Sequence, residues 1–252
     1  MGGVAVGGIV FVCVFGGALF GMFLSSVLPE HHLSQDSKDV VKLTMAVLGT
    51  MAALVVGLLI SSAKSSFDTK DSEVKRIAAQ VVLFDRTLAD YGPETQDVRK
   101  FTRDLVAARV RDIWNENSNV DTAALRQVSG SFGEIQRKVL ALSPANDTQR
   151  WLQSKALQII GDLADTRWLL AQQTGGTIQW QFLAMLVFWL TVIFASFGMF
   201  APRNGTVIGA LFVAALSMAG SIYLITEMDQ PFTGFIKISS APMRFALEQL
   251  DK

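Results

Sequence analysis

Cysteine is almost absent from this chain. The one residue, Cys13, lies inside an apolar run, which excludes a disulfide framework and a thiolate metal cluster. Its plain role is that of a small packed or lipid-facing side chain. Histidine is nearly as scarce: His31 and His32 are the only two, so the long central stretch has none and a Ser-His-Asp triad there is excluded. Excess charge of either sign is also missing, with 22 Lys and Arg against 22 Asp and Glu. A nucleic-acid binder needs a basic surplus to release counterions, and that class is set aside. There is no glycine-rich phosphate loop, no H-E-x-x-H and no nucleophile elbow. An enzyme is therefore the least supported class, and no cofactor is expected.

What is present is apolar sequence. Half of the 252 residues are hydrophobic and 17% are charged, and the mean hydropathy is +0.37. The charges are uneven. Between Ser65 and Thr177 stand 15 Lys and Arg and 15 Asp and Glu, while the apolar blocks hold almost none. Two environments, lipid and water, account for that pattern.

Four blocks are long enough to cross a bilayer core, which needs about 20 apolar residues. The first runs from Val4 to Leu28 without a charge. It is expected to be a span rather than a cleaved signal peptide. No Lys or Arg precedes it, the apolar run is too long, and no A-x-A site follows. The second runs from Val40 to Ala63, with Lys42 able to snorkel near its start and Lys64 at its end. The third, Trp180 to Phe200, is rich in Phe and Trp. The fourth runs from Val207 to Ile225, separated from the third only by Ala201-Pro202-Arg203-Asn204-Gly205. Pro202 and Gly205 break the helix and permit a tight antiparallel hairpin.

Between the second and third blocks, apolar residues recur at three-to-four spacing in four segments. These predict helices over Asp71–Tyr91, Pro93–Asn115, Thr122–Leu142 and a fourth starting near Ser143-Pro144. Gly92-Pro93 separates the first two, and Gly175-Gly176 follows the last. Each segment has one apolar stripe and a charged remainder, as in an amphipathic bundle. The fold class expected is all-α: four transmembrane helices with a cytoplasmic four-helix bundle inserted between the second and third. The expected divisions are 1–64, 65–178, 179–226 and a tail, 227–252. In the tail, Ser240-Ala241-Pro242 predicts the start of a short helix. Lys64, Lys70, Lys75, Arg76, Arg167, Lys237 and Arg244 flank one membrane face; Lys38, Lys42 and Arg203 flank the other. The positive-inside rule then places the bundle and both termini in the cytoplasm.

Candidate sites fall at the ends of the spans, because no ionisable residue lies deep in any of them. His31 and His32 sit in a polar loop near carboxylates, a chemistry suited to metal binding or pH sensing. Adjacent residues of an extended loop point apart, however, and an ordered interfacial loop is the plainer role. Glu227 and Asp229 follow the fourth span, where paired carboxylates attract cations or calcium. A carboxylate at a helix C-terminus opposes the dipole, so some compensation is required. Ser61, Ser62, Ser65 and Ser66 surround Lys64. Together with Thr44 and Thr50 they make the second span a candidate wall of an aqueous path, or else a helix packed through small residues. The pairs Gly3-x3-Gly7 and Gly17-x3-Gly21 allow close helix approach, either within the chain or between copies.

Three stretches resemble the bestrophin-like domain family of bacterial integral membrane proteins. One is LPEHHLSQDSKDVVKLTMAVLGTMAALVVGLLISSAKSSFD, Leu28 to Asp68. Another is FGMFAPRN, Phe197 to Asn204. The last is EMDQPFTGFIKISSAPMRFALEQL, Glu227 to Leu250, and RWLL at Arg167 to Leu170 adds to them. The resemblance implies kinship with bestrophins, which are pentameric, mainly anion-conducting channels with cytoplasmic termini. Asp229, Pro231 and Phe232 look like a bestrophin motif. The aromatic neck of bestrophins is missing, since the second span has no aromatic residue before Phe67; bestrophin pore residues are not carried over. The function expected is a homo-oligomeric ion channel of the cell membrane. Its pore would be lined by the second span through Thr44, Met51, Val55, Leu58 and Ser62. His31, His32, Lys64, Glu227 and Asp229 would stand at its mouths. Its partners would be membrane lipids, inorganic ions and further copies of the chain, a pentamer by the resemblance. The alternative is a non-conducting scaffold or sensor acting through its helical bundle.

Overall fold

The computed structural model describes residues 3–27, 35–114, 132–172, 180–232 and 234–250, and among them it is helical with no strand. The order is α1 (Gly3–Val27), α2 (Gln35–Tyr91), a 3₁₀ turn (Pro93–Thr95), α3 (Gln96–Trp114), α4 (132–140), α5 (Asp147–Gln172), α6 (Trp180–Phe200), α7 (Gly205–Asp229) and α8 (Ala241–Gln249). Four of these, α1, α2, α6 and α7, contain stretches long and apolar enough to cross a membrane. His31 and His32, the expected start at Thr122 and the Gly175-Gly176 break lie outside the described residues.

The helix expected from Asp71 does not start afresh there: it extends directly from the second span, as the lack of a long polar linker between them allows, and the two form one helix of 57 residues. The physical reason is that neither Gly nor Pro occurs between Leu58 and Tyr91. Hydropathy changes at Lys64, but a change of solvent does not break a helix. Lys75 supports the polar part by pairing with Asp71 one turn earlier at 2.6 Å, the favoured acid-before-base order. The helix ends where Gly92 takes φ +136° and Pro93 follows. There Thr95 donates its hydroxyl proton toward the carbonyls of Leu88 at 2.6 Å and Gly92 at 2.8 Å.

The chain divides into two compact units, residues 1–67 with 176–236, and 68–175 with 237–252. In the first, α1 packs along α6 and α7. Its core joins Val10, Val14 and Ala18 of α1, Leu186, Leu190, Ile193 and Phe194 of α6, and Ala215, Ala219 and Ile222 of α7, with Ala52 from α2. Phe11, Phe15 and Phe212 meet there, with edge-to-face contacts of 5.3 and 5.5 Å between centroids. Glycine sets the spacing of α1 and α6. A Cβ on Gly21 would overlap the Ala195 carbonyl, one on Gly198 would overlap the Ala18 carbonyl, and one on Gly17 would stand 2.8 Å from the Thr191 side chain. The Gly17-x3-Gly21 pair therefore packs within the chain, and so does Gly7, against Tyr223.

The second unit is built from the polar part of α2, α3, α4, α5 and α8. Phe84, Leu88, Val98, Ile135, Val139, Ala156, Ile159 and Ile160 form its core. Each comes from the apolar stripe of its helix. α5 starts at Asp147, later than Ser143-Pro144, because Asn146 caps it. The Asn146 side chain accepts from the Gln149 N–H, and the Gln149 side chain accepts from the Ala145 N–H, a reciprocal box that fixes the first turn. Gln149 and Gln153 also donate to the carbonyls of Tyr91, Val139 and Leu142. Arg99 grips Asp85 with two hydrogen bonds, 2.7 and 2.8 Å. Chiefly through those bonds, Asp85 holds the guanidinium above its ordinary pKa. Trp114 donates to the Ile238 carbonyl at 2.8 Å, which ties α3 to the chain leading into α8.

Candidate functional site

α2 differs from the other spanning helices in how little of it is covered. In its most apolar window 6% of residues are buried, against 22% in α1, 33% in α6 and 22% in α7. Ala52 is the α2 member of the buried core, and Met45, Leu48, Val55, Val56 and Leu59 lean against that core. These residues share one side of the helix. The opposite side carries Leu43, Val47, Met51, Leu54 and Leu58, which are 48 to 70% exposed. A third stripe is small: Ala46, Ala53 and Gly57 are exposed, and Gly49 is half-buried. A Cβ on Gly49 or Gly57 would meet nothing within 4 Å.

The expected pore residues distribute over this surface as follows. Thr44, Met51, Leu58 and Ser62 are exposed and share a face, while Val55 is half-buried at its edge, against the core. The Thr44 hydroxyl donates to the Val40 carbonyl at 2.9 Å, and Thr50 donates to Val47 at 2.7 Å. Back-bonding of this kind satisfies the hydroxyl proton inside the helix and leaves oxygen lone pairs directed outward. Lys64 is exposed one turn or less from Ser61, Ser62 and Ser65, also exposed.

Glu227 and Asp229 do not follow α7; they form its last turn. Glu227 is buried, with 6% of its surface exposed. Its carboxylate accepts the Phe235 N–H at 2.7 Å. Gly234 makes the return possible: it takes φ +90°, and a Cβ there would overlap the carboxylate. Gly3, the first residue of α1, lies on the other side, where a Cβ would stand 2.5 Å from the Glu227 carboxylate. This supplies the compensation that an acid at a helix C-terminus requires. The positive end of α1 and one backbone amide face the charge. Asp229 is half-exposed in the same turn. Among the described residues no group of three His, Cys, Asp or Glu side chains is arranged to hold a metal ion.

Two features were not read from sequence. One is the Gly3–Glu227–Gly234 cradle, which joins residues too far apart in the sequence for any local spacing to signal it. The other is Arg203 in the α6–α7 turn. Its guanidinium donates to the Met22 carbonyl at 2.6 Å and to the Ser25 hydroxyl at 3.2 Å, which ties the α6–α7 turn to the last turns of α1; the Ser25 hydroxyl donates to the same carbonyl at 2.8 Å. In sequence it was only one more positive charge in a turn.

No curated protein and no solved structure matches the chain. The family model described as the Bestrophin-like domain matches residues 12–243. That match runs from within α1 to α8 and takes in every spanning helix, so the chain belongs to the bestrophin-like domain family.

Proposed function

We propose that the protein is a homo-oligomeric ion channel of the cell membrane, with α2 lining its pore. The observation that carries this reading is the bareness of α2. A helix with only 6% of its apolar window buried has most of its surface left for neighbouring copies and for a lumen. Its stripes suit such a division. The stripe of Ala46, Gly49, Ala53 and Gly57 lets another backbone approach closely. Thr44, Met51, Val55, Leu58 and Ser62 form the lining face, and Met51, Val55 and Leu58 act as an apolar constriction that gates by dewetting. Ser62, Lys64 and, from the sequence preceding α2, His31 and His32 are assigned to the mouths. Family kinship makes a pentamer the expected assembly. The balance of Lys and Arg around the spans favours a cytoplasmic bundle and cytoplasmic termini.

Glu227 has a different role in this proposal from the one its position in the sequence implies. Its buried carboxylate fastens the start of α1 and the Phe235 backbone rather than binding ions at a pore mouth.

The test is conduction by purified full-length protein in planar bilayers. Current is expected, and Leu58→Thr is expected to raise open probability by wetting the constriction. Folded, lipid-embedded protein that passes no current across a range of voltage, pH and calcium refutes the channel. A particle containing one copy refutes the pore assignment as well.

A further inference from the structure

Among the described residues, Phe235 is the most exposed of the large apolar side chains, at 88%. Its backbone is nevertheless fixed. The Phe235 N–H donates to the Glu227 carboxylate at 2.7 Å. Gly234 before it takes φ +90° and lies against the same carboxylate, a conformation that only glycine adopts freely. A bonded backbone thus holds an aromatic ring outside the chain, where contact with water is unfavourable. The depth at which it is held follows from three helix ends. A short turn at 201–204 joins α6 to α7, so the start of α6 and the end of α7 lie at the same end of that hairpin. α6 has 21 residues from Trp180, and Glu227 is the 23rd residue of α7; at about 1.5 Å of rise per residue, the two ends differ in depth by about 3 Å. The Glu227 carboxylate also adjoins Gly3, the first residue of α1. Gly3, Trp180 and Glu227 therefore mark one boundary of the spanning unit, and the Phe235 amide is bonded to it. Exposed apolar side chains run up to this boundary on each helix: Val4 on α1, Trp180 and Phe182 on α6, and Leu224 on α7. Trp180, at the first position of its span, stands where aromatic belts meet the headgroups. Phe235 adds a ring at that level from a segment that is not itself a span.

We infer that the segment after α7 is an interfacial membrane anchor, with the Phe235 ring seated in lipid between the headgroups and the acyl chains. Lipid is the occupant because the exposed apolar faces of α1, α6 and α7 continue up to the ring. The bond from Glu227 sets the depth of the ring. The ring in turn sets the height at which the chain leaves the fourth span. A single aromatic ring at this level needs no particular headgroup. The anchor requires a spanning unit in lipid and is independent of conduction.

The experiment is site-directed spin labelling of the full chain in phosphatidylcholine liposomes. Cys13→Ala removes the native thiol. A nitroxide is then placed in turn at Phe235→Cys, at Leu216→Cys in the middle of α7, and at Asp147→Cys on the second unit, three exposed positions whose replacement does not threaten folding. Collision with oxygen, which concentrates in the bilayer, is compared with collision with nickel ethylenediaminediacetate, which stays in water. Depth is calibrated on phosphatidylcholine labelled at the headgroup, at a shallow acyl carbon and at a deep one. The label at 235 is expected to meet the nickel complex several-fold less often than the label at 147, and to fall between the headgroup and shallow standards. Nickel collision at 235 equal to that at 147 puts the ring in water and overturns the anchor. Low collision with both reagents means that protein, such as a second copy, covers the ring, and overturns it too. So does a depth matching the deep standard. The label at 216 separates the two readings. Nickel collision there as high as at 147 refutes the spanning unit itself, whereas a shielded 216 with a wet 235 refutes the anchor alone.

Discussion

Substituting alanine for glycine in α1 should change sign with position. At Gly21 the added methyl group meets the Ala195 carbonyl of α6, and at Gly198 it meets the Ala18 carbonyl of α1. Both obstacles are backbone, which cannot rotate away as a side chain can, so α1 and α6 must separate. Overpacking of this kind costs about 1–3 kcal/mol and sometimes more, and a backbone obstacle argues for the upper end. At Gly16 a Cβ meets nothing within 4 Å. There the substitution only removes the flexibility of glycine in a helix, a gain of about 0.5–1 kcal/mol. Gly21→Ala and Gly16→Ala should therefore differ by about 2–4 kcal/mol, with opposite signs. The double variant Gly21→Ala/Gly198→Ala should cost less than the sum, because one separation of the helices relieves both clashes. Unfolding in sodium dodecyl sulfate mixed micelles, followed by far-ultraviolet circular dichroism, reads all four proteins. Equal effects at Gly16 and Gly21, or strict additivity of the double variant, would refute the close approach of α1 and α6.

Other substitutions follow from the same contacts. Gly57→Leu should leave the stability of a single subunit unchanged and abolish assembly, seen as loss of the oligomer peak in native mass spectrometry; an intact oligomer would take that stripe out of the interface. Tyr91→Phe should be neutral or stabilising, because the Tyr91 hydroxyl is buried without a hydrogen-bond partner, a state that costs about 1–3 kcal/mol; a clear loss in thermal unfolding would contradict it. Arg99→Met should destabilise by about 3–5 kcal/mol, since it leaves Asp85, whose side chain is 6% exposed, charged and unpaired; chemical unfolding of the purified protein measures it. Glu227→Leu should expose the Phe235 amide to rapid hydrogen exchange, whereas Glu227→Gln, which keeps an acceptor oxygen, should protect it in part.

The spans were legible because lipid imposes a length and an absence of charge, and both are written in the sequence directly. α6 begins at Trp180 and ends at Phe200, where the apolar run and the following Pro202 set its limits. The continuity of α2 follows from the lack of a long polar linker after the second span, which lets the helix run on across the change of hydropathy at Lys64 until Gly92-Pro93 end it. The tight contacts between α1 and α6 were half visible. Gly17 and Gly21 announced a close approach, but the partner surface at Thr191, Ala195 and Gly198 lies far along the chain and has no periodic link to them.

Which face of α2 does which job is the hardest feature to read, and the reason is physical. In a soluble helix, polarity marks the outward side. In a helix whose solvent is lipid, the lipid-facing, core-facing and subunit-facing sides are all apolar, so periodicity carries little information about direction. Size carries more. Ala52 points inward, Gly49 and Gly57 leave open space, and Met51 and Leu58 are exposed. A small residue can serve equally against a core or against another copy, and only the contacts separate the two. Gly21 is filled by its own chain, while Gly57 is not. The same glycine chemistry thus marks a filled contact on α1 and open space on α2, and the assembly proposed above would draw on the second.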